Sequence, residues 1–168
     1  MNNDTIALIA NVALTLSFIV ALVFGIAQVR AAARERKERL TLEALYGFET
    51  REFVELLQYI TSHDPPANAK GLAALPREEQ VLLMQFAQQM ETLGILVAGR
   101  LINLDLVDKT LGSLVSTSWE KYKPFTLSVR ESAPDPFLNE YFQWLAERIA
   151  ERMKRRPRKP YYQESSRA

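Results

Sequence analysis

Hydrophobic and polar positions follow two different rules along this chain. From Thr5 to Val29 there is no charged residue over 25 consecutive positions, and apolar side chains point all ways round a helix. Beyond Leu42 the apolar residues recur every three or four positions instead, which is the spacing of helices with one buried face. The first rule predicts a segment solvated by lipid. The second predicts a packed set of amphipathic helices.

As a helix the uncharged segment is about 37 Å long, and roughly 20 apolar residues suffice to cross a bilayer core. The competing reading is an export signal, since "AQVRAAA" offers small residues to a protease. A signal peptide needs a basic stretch ahead of an apolar core of about 7–15 residues. Met1, Asn2, Asn3 and Asp4 include no Lys or Arg, and the apolar run is longer than that. The segment 5–29 is therefore read as a transmembrane anchor. Arg30, Arg34, Arg36, Lys37 and Arg39 follow it and are the expected contacts for lipid headgroups. Their charge places that side in the cytoplasm by the positive-inside rule. Residues 1–4 are then a short external N-terminus, and residues 30–41 a basic juxtamembrane helix.

No Pro or Gly occurs between Ile26 and Tyr46, so the helix is predicted to run on to about Ser62. Glu35 and Arg39 form a favourable pair one turn apart on it. Leu42, Leu45, Tyr46, Phe53, Leu56, Leu57 and Ile60 mark its buried face, and Gly47 reads as a weak point rather than a stop. "SHDPPANAKGLAAL" breaks the period and reads as a loop. Pro76 opens a second helix, with Glu78 and Glu79 in the first turn where the dipole favours them. Its stripe is Leu82, Leu83, Phe86, Met90, Leu93 and Val97, and it ends at "VAGRLIN".

Asp105 reads as the cap of a third helix, with Asp108 also near its positive end. Val107, Leu111, Leu114, Val115, Trp119, Tyr122, Thr126 and Val129 form its stripe. Pro124 inside it predicts a kink near Glu120–Lys123. A fourth helix is expected from Asp135 as cap and Pro136 as first helical residue. It carries Leu138, Phe142, Leu145, Ile149 and Met153 to a stop at Pro157 and Pro160. No run alternates as a strand would. The expected fold class is all-α: an N-terminal transmembrane helix continuing into a cytoplasmic four-helix bundle over 42–156, then a disordered basic tail over 157–168.

Composition narrows the chemistry. The chain has no cysteine, which excludes disulfides, zinc ribbons and thiol catalysis. Its single histidine, His63, stands in "SHDPP" with Ile60 three positions before it. A di-iron bundle site requires Glu-x-x-His instead. The six glycines are scattered and form no phosphate loop. Glu91, Asp105, Asp108 and Glu120 are the carboxylates available for acid–base work, and capping accounts for Asp105 and Asp108. No catalytic, cofactor-binding or metal-ligating residue is assigned, no small-molecule substrate is implied, and the chain is not expected to be an enzyme.

What remains is interaction. The net charge of +1 conceals an acidic middle between two basic ends. Ala13, Ser17, Ala21 and Gly25 fall at four-residue steps in the apolar segment. Such a stripe lets a second helix approach closely, so a homo-oligomer or an integral membrane partner is expected. The bland alternative is composition, because small residues are common in this segment. Arg152, Lys154, Arg155, Arg156, Arg158 and Lys159 form a basic tail suited to anionic lipid or nucleic acid, the alternative being a merely solvated tail. Trp119, Glu120 and Arg130 read either as a partner patch or as a core Trp beside an ion pair of Glu120 with Lys123 or Arg130. The structural reading is preferred, since a Trp on an apolar stripe usually fills core.

The stretches "METLGILVAGRLINLDLV", "SWEKYKPFTLSVRES" and "PDPFLNEYFQWLAER" resemble the bacterial domain of unknown function 4760 family over roughly residues 40–150. Trp119, Glu120, Pro124, Arg130, Tyr141, Phe142 and Leu145 carry the resemblance. It implies a small, often single-span, helical membrane-anchored protein, and the localisation expected for this chain is the bacterial inner membrane. It supplies no activity and no catalytic residues, and the tail after Met153 lies outside it. The expected function is a non-enzymatic, membrane-tethered helical module that binds, scaffolds or regulates a protein partner at the cytoplasmic face. The runner-up is a membrane-held nucleic-acid-binding protein acting through the tail.

Overall fold

The computed structural model describes residues 2–132 and 135–164. Among these, all regular structure is helical, as the periodicity predicts: α1 (Asn3–Tyr46), α2 (Arg51–Ser62), α3 (Ala69–Ala74), α4 (Arg77–Ala98), α5 (Leu104–Ser132), α6 (Glu140–Arg155) and α7 (Tyr161–Glu164). The chain divides into two compact units, residues 1–39 and residues 40–168.

The first unit is a single stretch of α1. Leu8, Leu14, Phe18, Leu22 and Phe24 are each more than half exposed along it. A continuous apolar surface of this size does not persist in water. The helix is long and apolar enough to cross a bilayer. α4 meets the same length and composition test, but there Leu83, Phe86, Met90, Leu93 and Val97 are buried as a core face.

In the second unit α6 packs against both α4 and α5, α2 packs on α4, and α3 lies on α5. An aromatic cluster ties these helices together. Phe142 of α6 meets Trp119 edge-on at 5.2 Å, and its ring lies 6.4 Å from Phe86 and 6.0 Å from Tyr122. Phe86 stacks on Tyr122 at 5.6 Å and on Phe53 of α2 at 6.4 Å. Each such ring removed from water stabilises the fold by about 1.5–3 kcal/mol.

Several local expectations are corrected. The helix does not run unbroken to Ser62; α1 ends at Tyr46 and α2 begins at Arg51. Gly47 ends a helix here because a new cap competes: the Thr50 hydroxyl accepts from the Phe53 amide at 3.2 Å. Phe48 then packs edge-on against Phe53 at 4.9 Å. The re-aimed chain leaves Leu42 and Tyr46 exposed, while Thr41 is fully buried. The predicted loop 62–75 contains α3, capped by Asn68, whose Oδ1 accepts from the Gly71 amide.

The cap of α5 is Asn103 rather than Asp105. Its Oδ1 accepts from the Asp105 amide at 2.8 Å. α5 continues through Pro124 to Ser132. α6 starts at Glu140, not Pro136. Asp135 instead accepts from the Phe137 amide in a turn, and Asn139 adopts a left-handed backbone, φ 56°, before the helix begins. Asn tolerates that conformation better than most residues. Met153, expected on the stripe of α6, is exposed. The tail carries the helical turn α7, and residues 165–168 of the predicted disordered segment lie outside the described residues.

Candidate functional site

The polar side chains of the second unit are drawn into holding helices together. Glu91 of α4 reaches the start of α6, where its Oε1 accepts from the Tyr141 amide at 3.2 Å and its Oε2 from the Phe142 amide at 2.8 Å. These amides have no partner within their own helix, and the carboxylate also meets the positive end of the dipole. Three residues along α4, Gly94 permits the approach. A Cβ there would come within 3.0 Å of the carbonyl oxygen, carbonyl carbon and Cβ of Tyr141. Glu91 is thus a cap supplied from another helix, not a free general base.

Arg130 does not pair with Glu120. Its Nε donates to the Leu138 carbonyl at 2.9 Å and its Nη1 to Gln143 Oε1 at 2.7 Å, bracing the turn that leads into α6. Glu120 is exposed. Trp119 is 2% exposed and belongs to the core, so these two residues form no joint surface patch with Arg130. Asn139 Nδ2 donates to Thr126 Oγ1 at 3.1 Å across the same turn. Asp105 and Asp108 both bind Arg152, joining the start of α5 to the end of α6.

Lys121 reaches the end of α2, donating to the Thr61 carbonyl at 3.1 Å and pairing with Asp64 at 3.1 Å. His63 is exposed, stacks on Tyr59 at 4.4 Å and contacts the Tyr59 carbonyl through Nδ1. Among the described residues no three His, Cys, Asp or Glu side chains gather as metal ligands would.

An apolar recess of about 240 Å³ opens between α3, α4 and α5, lined by Pro66, Leu72, Met84, Tyr122, Phe125 and Leu138 among others. Tyr122 is the one ionisable residue lining it among the described residues, and the hydroxyl donates to the Leu83 carbonyl at 3.1 Å. Burial, then the nearby Tyr59, pushes the Tyr122 phenol well above its ordinary range. Tyr59 is itself pushed up to about 12, first by burial and then by its 2.8 Å hydrogen bond to Glu79 and that group's charge. Both phenols stay neutral at physiological pH. The recess has the chemistry of a hydrophobic seat, with no acid–base pair facing it.

The other candidate residues lie on surfaces. Ala13, Ser17 and Ala21 are exposed on α1 and Gly25 is half-buried, with nothing within 4 Å of a Cβ placed at Gly25. Arg30, Arg34, Arg36 and Arg39 are exposed on the same helix, and Lys37 is half-buried. Lys154, Arg155, Arg156, Arg158 and Lys159 are exposed at the C-terminal end, while Arg152 is partly covered by its ion pairs.

Sequence reasoning missed Thr41, Gly94 and Asn139. Thr41 Oγ1 accepts from the Asn103 amide at 2.9 Å, fastening the end of α1 to the α4–α5 connection. Gly94 left a signal: a glycine inside a strongly periodic helix points to a close neighbour. Thr41 and Asn139 left none, because their partners are distant in sequence.

The geometry defines a class first: a small all-helical protein with an N-terminal apolar helix and a second helical unit held by an aromatic core and inter-helix caps. Its residues 15–149 match the model of a family described as a domain of unknown function, DUF4760, and the chain belongs to that family. The match begins inside the apolar segment, earlier than residue 40, and stops short of the basic tail. No curated protein and no solved structure matches the chain.

Proposed function

We propose that this protein is a non-enzymatic, membrane-tethered helical module of the bacterial inner membrane, which binds or regulates a protein partner at the cytoplasmic face. One observation carries the reading. An apolar helix with its side chains exposed over residues 6–29 is joined to a separate unit whose half-buried Glu91, Asp108, Arg130 and Arg152 hold helices together. Lipid is the solvent that makes such a helix stable, because its backbone hydrogen bonds are internal and its side chains are apolar. The five basic residues after it support a cytoplasmic second unit by the positive-inside rule. The small-residue face Ala13, Ser17, Ala21 and Gly25 suits association with another helix in the bilayer.

Single cysteines at Asn3 and Lys70 test the topology, since the chain has none of its own. On intact cells an impermeant thiol reagent should label the Asn3 site and spare Lys70. Labelling of Lys70 alone would reverse the orientation. Replacing Ala21 and Gly25 by Ile should preserve insertion and abolish a crosslinked dimer or heteromer in membranes. A crosslinked species that survives both changes would move the partner surface to the second unit.

A further inference from the structure

The basic residues at the end of α6 fall into two groups. Arg148 and Arg155 pair with Glu151, and Arg152 with Asp105 and Asp108. Lys154, Arg156, Arg158 and Lys159 form no ion pair among the described residues, and all four are exposed. The fold consumes Arg148, Arg152 and Arg155 in ion pairs and leaves the other four cations without one among the described residues. Lys154 lies in the last turn of α6, and Pro157 and Pro160 keep residues 156–160 out of the helix. The Arg158 amide contacts Met153 Sδ at 3.4 Å, folding the chain back beside a recess of about 450 Å³ rimmed by Arg155, Arg156 and Arg158. Met153 and Tyr162, at 41% and 75% exposed, flank the cations with apolar and aromatic surface.

We infer that this segment, 153–162, is a membrane-surface latch that docks on phosphate-bearing headgroups of anionic lipid. The inference rests on the proposed anchoring of α1. Free cations beside exposed aromatic and thioether side chains suit an interface, where charge meets phosphate and the ring sits at headgroup depth. Nucleic acid would use the same cations, but single-strand binders interleave them with stacking aromatics. Here no aromatic residue lies among the cations from Lys154 to Lys159, and the tyrosines follow them. An anchored chain also meets lipid at high effective concentration. Each cation near an anionic surface strengthens binding about fivefold, so four together give on the order of several hundredfold.

The full chain, carrying Gln163→Cys with an environment-sensitive dye, is reconstituted into vesicles of phosphatidylcholine alone or mixed with phosphatidylglycerol. Flotation should show the chain with both. The dye should shift to the blue and be quenched by lipid-borne nitroxide only in the anionic vesicles. The signal should fall with added salt and vanish in K154Q/R156Q/R158Q/K159Q. A chain that floats with both but whose dye ignores lipid charge, or the quadruple substitution, overturns the latch alone. A chain that floats with neither overturns the anchor and the latch with it. A dye signal removed by added single-stranded RNA at equal phosphate assigns the cations to nucleic acid and overturns the lipid assignment.

Discussion

The Glu91 carboxylate bonds the amide of Phe142 at 2.8 Å, and Phe142 is the residue whose ring meets Trp119, Phe86 and Tyr122. One residue of α6 is therefore fixed by its backbone from α4 and by its side chain from α4 and α5. Removing the carboxylate leaves two helix-end amides without their partner. Glu91→Ala should destabilise the second unit by about 1–2 kcal/mol, the usual scale for a lost cap. Thermal melts of the full chain in detergent would show it, with Glu91→Gln intermediate. An unchanged melt would mean that water replaces the cap without loss.

Gly94 and Gly25 make a controlled pair. At Gly94 an added methyl collides with the Tyr141 backbone, which cannot swing aside as a side chain would. Gly94→Ala should force α4 and α6 apart and cost about 1–3 kcal/mol. At Gly25 nothing lies within 4 Å, so Gly25→Ala should leave the same melt unchanged.

Trp119 is 2% exposed and edge-on to Phe142. Trp119→Ala should cost about 3–5 kcal/mol, as other buried Trp truncations do. Trp144, at 39% exposed, is the comparison, and Trp144→Ala should cost much less. Tryptophan emission separates the two: the blue component should be lost with Trp119 and kept when Trp144 is replaced.

Arg100 follows α4 with a left-handed backbone, φ 59°, while the neighbouring Gly99 is right-handed at φ −69°. The left-handed position is thus filled by a residue with a Cβ, at a cost of about 1 kcal/mol. Arg100→Gly should raise the stability of the second unit by a similar amount, measured by denaturant midpoint. A loss of stability would mean that the Arg100 side chain contributes more than the strain removes.

Tyr59 and Tyr122 predict an alkaline limit. Both phenols are raised in the folded state relative to the ordinary value of 10.0, Tyr59 to about 12. Between those values the unfolded chain has lost protons that the folded chain retains. Stability is therefore fully present below about pH 10 and falls as pH rises toward 12 and beyond. Melts of Tyr59→Phe and Tyr122→Phe should each decline less steeply over that range than the unsubstituted chain. Equal slopes would mean that other groups govern alkaline unfolding.

The helical class, the apolar segment and most core positions are legible in the sequence because each depends on a local property. Apolar length decides whether a helix suits lipid, and a period near 3.6 decides which face is buried. Leu83, Phe86, Met90, Leu93 and Val97 were found this way, as were Val107, Val115, Trp119 and Tyr122. Helix ends were less legible. Thr50 and Asn103 win as caps through local hydrogen bonds, Asn103 over the better-known signal Asp105, while the left-handed backbone of Asn139 moves the start of α6 past the Asp135–Pro136 pair. The roles of the charged residues were legible least. Whether Glu91 is a base or a cap, and whether Arg130 meets Glu120 or Gln143, depends on partners brought near only when helices pack. A single sequence specifies what each residue prefers within one turn of itself. Which carboxylate reaches which helix end, and which cations stay unpaired at the end of α6, is set by contacts between residues far apart in the chain, and only the tertiary structure decides those.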